Sequence, residues 1–118
     1  MNAVVECVPN ISEGRNLDLI HAVVDAARVD GCSVLSIEPD TDYNRTVITL
    51  AGEPEAVAEA ATLLSVEAIR RIDMRMHAGE HPRLGAVDVC PFIPIQGIDM
   101  DACAALATKV AQSVAQKT

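Results

Sequence analysis

Apolar residues recur along this chain with two different periods, and the switch from one to the other marks out its elements. Residues 3–9 (Ala-Val-Val-Glu-Cys-Val-Pro) form a short β-branched run closed by Pro9 and Asn10, which predicts a first strand. A polar loop from Ile11 to Arg15 follows, and Asn16 offers an N-cap. Ile20, Val23, Val24 and Ala27 then fall at helical spacing, and Gly31 ends the pattern, predicting a helix over 16–30. Ser33 to Ile37 predicts a second strand, Glu38 to Tyr43 an acidic turn, and Arg45 to Ala51 a third strand with mixed faces. Pro54 stands near the first position of a helix, and Val57, Ala60, Ala61, Leu64, Ala68 and Ile72 form one long stripe, predicting a helix over 54–73. Residues 86–95 predict a fourth strand, whose prolines at 91 and 94 forbid full pairing at the centre of a sheet, so that its second half either lies at an edge or bends away. Asp99 caps a last helix over 99–114, with Cys103, Leu106, Val110 and Val114 inward.

The resulting order is βαββαβα. Helices separated by a hairpin-like strand pair point to an α+β protein, a ferredoxin-like sandwich with a mixed sheet and helices packed on one face. Residues 1–118 read as one domain, since no linker, repeat or low-complexity tract interrupts them.

Composition narrows the function. Half the residues are apolar, yet there is one Tyr, one Phe and no Trp, so the core is aliphatic and no aromatic platform for stacking bases exists. A net charge of −8 repels polyanions, which further argues against nucleic acid. No apolar run reaches membrane-spanning length and no secretory leader precedes the first strand, so no membrane partner and a cytoplasmic location are expected. Cys7, Cys32, Cys90 and Cys103 show no zinc-type spacing, and three lie in apolar segments, as small buried hydrophobes do.

Candidate chemistry concentrates between residues 74 and 91, where Arg75, His77, Glu80, His81 and Arg83 crowd a segment broken by Gly and Pro. Residues 70–83 carry four arginines against two acids, Asp73 and Glu80, a local positive patch suited to a small carboxylate. For Arg70 and Arg71 the other reading is a solvated helix end whose cations offset the helix dipole. His77-Ala78-Gly79-Glu80-His81 matches H-x-x-E-H, but that zinc motif requires a helix, and Gly79 and Pro82 oppose one; no metal is expected. His81 is the better general base, because in an extended segment Arg83 lies on its side and favours the neutral imidazole. Asn44 and Arg45 open a strand and can hold a carboxylate, although Arg45 can equally pair with Asp40 or Asp42. Asn10, Ser12, Glu13 and Gly14 either line a site or build a turn.

Three stretches carry a family resemblance: Glu6-Cys7-Val8-Pro9-Asn10-Ile11-Ser12-Glu13-Gly14-Arg15-Asn16, then Asn44-Arg45-Thr46-Val47, then residues 79–94 with Gly-Glu-His-Pro-Arg at their head. Together they resemble the N-terminal subdomain of glutamate formimidoyltransferases over nearly the whole chain. The family has Phe where Ile11 stands and often Asp where Glu38 stands. The resemblance implies transfer of the formimino group of N-formimino-L-glutamate to N5 of tetrahydrofolate, with His81 as the catalytic base. It implies substrate contacts from Asn10, Glu38, Asn44, Arg45 and Arg83. It also implies a second, C-terminal subdomain, in cis or as a separate chain, with folate between the two. The other reading is a non-catalytic half-domain, a folate-binding or assembly module. A homo-oligomer is a further partner state compatible with either.

Overall fold

A computed structural model describes residues 3–72, 87–89 and 91–118. Along the chain run β1 (Val4–Cys7), β2 (Asn10–Ile11), α1 (Leu17–Asp25), β3 (Cys32–Asp40), β4 (Arg45–Gly52), α2 (Pro54–Arg71), β5 (Val87–Val89), β6 (Phe92–Gln96) and α3 (Met100–Lys117). The six segments form four continuous lines. β1 and β2 share one register along β4, with Cys7 opposite Leu50 and Asn10 opposite Val47. Between them the Pro9 carbonyl still accepts from Ile48 N at 3.0 Å, so the line is interrupted only where proline has no N–H to give. β5 and β6 behave likewise along β2 and β1, joined by a bond from Val8 N to the Pro91 carbonyl at 3.2 Å.

β4 lies between β3 and the β1–β2 line, and the β5–β6 line pairs on the far side of β1–β2. This is the split βαβ arrangement expected of the βαββαβα order. Every pairing is antiparallel. The parallel relations of the expected mixed sheet therefore lie between strands one apart, because each βαβ unit leaves a gap that an antiparallel strand fills. The proline-bearing last strand is at an edge, the first of the two places that Pro91 and Pro94 leave it. β3 is the other edge, and this lets it run to Asp40 through Pro39, three residues beyond the expected end at Ile37.

Strand alternation sorts the faces. Val5, Cys7, Ile11, Ile48 and Leu50 are fully buried beneath the helices, together with Thr46. All six positions of the α2 stripe are buried, so that prediction was right to the residue. On α3, Cys103, Leu106 and Val110 are buried and Val114 is half-buried. Asn16 caps α1 by accepting from Leu19 N at 3.1 Å, and Asp99 caps α3 by accepting from Ala102 N at 2.8 Å.

α1 is shorter than expected. It stops at Asp25 rather than at Gly31, although Ala26-Ala27-Arg28 has good helix propensity. Bonds of i→i−3 type from Ala27 N to Val24 O and from Arg28 N to Asp25 O tighten the end into a turn that does not continue the α-helix. This turn brings both Ala27 and Val29 against the core before the chain reverses. Gly31, at φ 89, serves the entry to β3 instead of the helix end.

Candidate active site

Among the described residues no helix packs on the second face of the sheet, and that face gathers three of the expected site residues. Glu38 opposes Val47, and Val47 opposes Asn10, so these three form one cross-strand row. Directly paired residues point to the same face, and strands stand about 4.8 Å apart, which separates Glu38 and Asn10 by about 10 Å along the row. Arg45, two positions before Val47 on β4, shares that face. Asn10 is held by its own backbone, with Nδ2 donating to the Val8 carbonyl at 3.2 Å. Glu38 is exposed and accepts from the Ser36 hydroxyl at 3.5 Å.

The suggested pairing of Arg45 with Asp40 or Asp42 does not form among the described residues. Asp40 is engaged in an Asx turn, where Oδ1 accepts from Asp42 N at 3.0 Å and from Tyr43 N at 3.2 Å. The Arg45 guanidinium instead lies 5.8 Å from the centre of the Tyr43 ring, a cation–π contact that leaves its N–H groups able to donate to an anion.

Asn44 takes a different place. It is 3% exposed and adopts φ 52, a left-handed conformation that asparagine tolerates. Its Oδ1 accepts from Gly14 N at 2.9 Å, which sets it behind the face as a brace for the neighbouring loop. That loop, Ser12 to Asn16, builds a turn around a buried carboxylate. Glu13 Oε2 accepts from Arg15 N at 3.0 Å and from Asn16 N at 2.9 Å, while the Glu13 carbonyl accepts from Thr46 Oγ1 at 2.5 Å. Arg15 Nε adds a bond to the Thr41 carbonyl at 2.9 Å, tying the two loops together. Thr46 was not among the expected residues. Its signal was available, because a hydroxyl at an inward strand position needs a buried partner.

His81, Arg83, Arg75, His77 and Glu80 lie outside the described residues, as does Cys90. Val87, the first described residue after that segment, opposes Ile11, so the chain rejoins the sheet beside Asn10 and the Ser12–Asn16 loop. Arg70 and Arg71, taken above as part of an anion-binding patch or as helix-end cations, sit in the last turn of α2 and both bind Glu67, at 3.0 and 2.6 Å. The Arg71 hydrogen bond, with the charges of both arginines, holds the Glu67 carboxyl below its ordinary range.

Burial raises the thiol pKa values of Cys32 and Cys103, the wrong direction for a nucleophilic thiolate. Among the described residues no cluster of three or more His, Cys, Asp or Glu could hold a metal ion. Among them too, no helix is long and apolar enough to cross a membrane.

Residues 4–118 match the model of the formiminotransferase domain, N-terminal subdomain. The chain belongs to the formiminotransferase family. It is 47% identical over 118 residues to a formimidoyltransferase-cyclodeaminase of Rattus norvegicus, covering 99% of this chain and 22% of that protein. It is 43% identical over 115 residues to a glutamate formimidoyltransferase of Streptococcus pyogenes serotype M1, covering 97% and 38%. A glutamate formimidoyltransferase of Thermoplasma acidophilum is 42% identical over 116 residues, with 98% and 38% covered. This formiminotransferase subdomain thus spans between 22% and 38% of the length of these relatives.

Proposed function

We propose that this chain is the half of a folate-dependent formiminotransferase that carries the general base, His81. The reaction is transfer of the formimino group from N-formimino-L-glutamate to N5 of tetrahydrofolate. The observation that carries this reading is the sheet face on which, among the described residues, no helix packs. It presents Asn10, Glu38 and Arg45 together, beside the point where the chain bearing His81 and Arg83 rejoins the sheet.

The residues suit the substrates. Arg45, steadied by Tyr43, is a donor for a carboxylate, which both substrates bear. Half-buried Val8, Val47 and Ala51 supply an apolar floor beside it for a flat ring system. In the reaction, N5 attacks the formimino carbon and loses its proton to the neutral imidazole of His81. The same proton is then returned to the departing glutamate nitrogen as its bond to that carbon breaks. Histidine, whose ordinary side chain titrates near neutrality, suits both transfers.

The alternative reading is a non-catalytic folate-binding or assembly half-domain. Steady-state formimino transfer by the 118-residue chain, alone and with the remainder of a relative added, separates the two. Turnover that appears on addition and vanishes with His81→Ala supports the first; no turnover in either mixture supports the second.

A further inference from the structure

The sheet face that bears Asn10, Glu38 and Arg45 carries one more charged side chain. Glu6 lies on β1, which is paired on both sides, opposite Ala51 of β4 and Ile93 of β6. Its strand neighbours Val5 and Cys7 are fully buried beneath the helices, so Glu6 points to the other face, with Val8 and Asn10 two and four residues on. Glutamate is depleted in strands, and this one is half-buried with apolar residues on either side. Among the described residues no cation or hydrogen-bond donor engages its carboxylate.

The two ends of the face have opposite hydrogen-bonding sense. Arg45, a donor, stands on β4 six residues before Ala51, which places it about 20 Å along the strand from the row of Glu6, an acceptor. Half-buried Val8, Thr49 and Val47 lie between them. Tetrahydrofolate has the complementary polarity over a comparable length, with N3–H and 2-amino donors at the pteridine end, carboxylates at the glutamate end and flat rings between. We propose, resting on the folate-dependent reading above, that Glu6 is the residue that selects the pteridine. Its two oxygens accept from N3–H and from the 2-amino group, the same fork that an arginine makes with an acid, while Arg45 holds the glutamate tail. This orientation carries N5, on the second pteridine ring, toward the row of Asn10, beside which the chain bearing His81 rejoins the sheet.

A glutamate bathed in water needs no partner. A second subdomain laid over this face takes Glu6 out of water, and a buried carboxylate without donors is costly. The pteridine supplies two donors at adjacent positions, so the cost becomes a preference for that ring. A ring with acceptors at those positions would meet the carboxylate's lone pairs and be rejected, which is how an unpaired buried polar group confers specificity.

Steady-state kinetics of the completed enzyme, with tetrahydrofolate and with its 2-desamino-2-methyl analogue, test this. Glu6→Gln keeps the shape of the side chain but turns an amide N–H toward one of the pteridine donors. E6Q is expected to raise KM for tetrahydrofolate roughly 10–100-fold, with kcat and the KM for N-formimino-L-glutamate little changed. The wild type is expected to prefer tetrahydrofolate over the analogue by roughly tenfold or more, and E6Q to lose that preference. A misfolded variant would instead lose both pteridines and N-formimino-L-glutamate alike. Wild-type KM for tetrahydrofolate in E6Q, equal losses for the two pteridines, or an unchanged preference would each overturn the role of Glu6 while leaving formimino transfer standing. A wild-type enzyme without formimino transfer would overturn the reading beneath it, and the role of Glu6 with it.

Discussion

At the scale of single residues, the Ser12–Asn16 loop has no room for a side chain at Gly14. A Cβ on Gly14 would stand 2.2 Å from the Asp40 carbonyl oxygen and 2.6 Å from Arg45 N and O, all backbone atoms that no rotamer change can move. Gly14→Ala is therefore expected to destabilise by ~2–3 kcal/mol or more, read as a lower midpoint in urea unfolding. Asn44→Ala is expected to cost ~1–3 kcal/mol, because it strands the buried Gly14 N–H and places a residue without a local hydrogen bond at φ 52. Asn44→Gly isolates the first effect, since glycine accepts that backbone freely. For catalysis, His81→Ala in the completed enzyme is expected to lower turnover by roughly 10²–10⁴-fold, the usual scale of one general base, with His77→Ala changing it far less. Equal losses from the two substitutions would count against His81 as the base.

Among the elements, caps and helix-end pairs make separate contributions. Asp99 satisfies an N–H at the start of α3 that nothing else in the described structure caps, so Asp99→Ala is expected to cost ~0.5–2 kcal/mol. The Glu67 pairs at the end of α2 are exposed on the arginine side and contribute only about 0.3–0.5 kcal/mol each. Their pH dependence is nonetheless directional. The Glu67 carboxyl is lowered in the folded chain, so its stabilisation is fully present above the ordinary carboxylate range and is lost as pH falls through the folded value. Thermal midpoints of wild type and Glu67→Gln should differ at neutral pH and converge in acid; a constant gap would contradict the pairing.

For the whole molecule, the proposed function gives a consequence to the sheet face on which, among the described residues, no helix packs. On the proposed function, a site walled on one side would leave a carboxylate on Arg45 to solvent screening and the reacting atoms unfixed. The 118-residue chain alone is accordingly expected to bind tetrahydrofolate weakly and to transfer slowly, with the remainder of the enzyme supplied in trans restoring both. Calorimetric titration of tetrahydrofolate into the isolated chain checks it, and tight binding with fast turnover would defeat the half-site reading.

Periodicity by itself determined the element order, the α2 stripe from Val57 to Ile72, the caps at Asn16 and Asp99, and the exclusion of the Pro91–Pro94 strand from full pairing at the sheet centre. These were legible because each is a local rule: burial at a fixed spacing, an orphan N–H beside an acceptor, a missing N–H in a ladder. The local chemistry of residues 74–91 pointed to His81 as a base, and sequence similarity, not periodicity, pointed to formimino transfer. The tertiary structure decided what depends on contacts distant in sequence. It ended α1 at Asp25 against the propensity of Ala26-Ala27-Arg28, since burying Ala27 and Val29 outweighed further helix. It carried β3 through Pro39, because an edge strand has no ladder on its outer side. It also divided the neighbours Asn44 and Arg45, one behind the sheet holding Gly14 and the other on the open face beside Tyr43. Adjacent residues read alike in a sequence, but only the partners that folding brings from 30 positions away settle which one is buried as a brace and which one stands on the other face of the sheet.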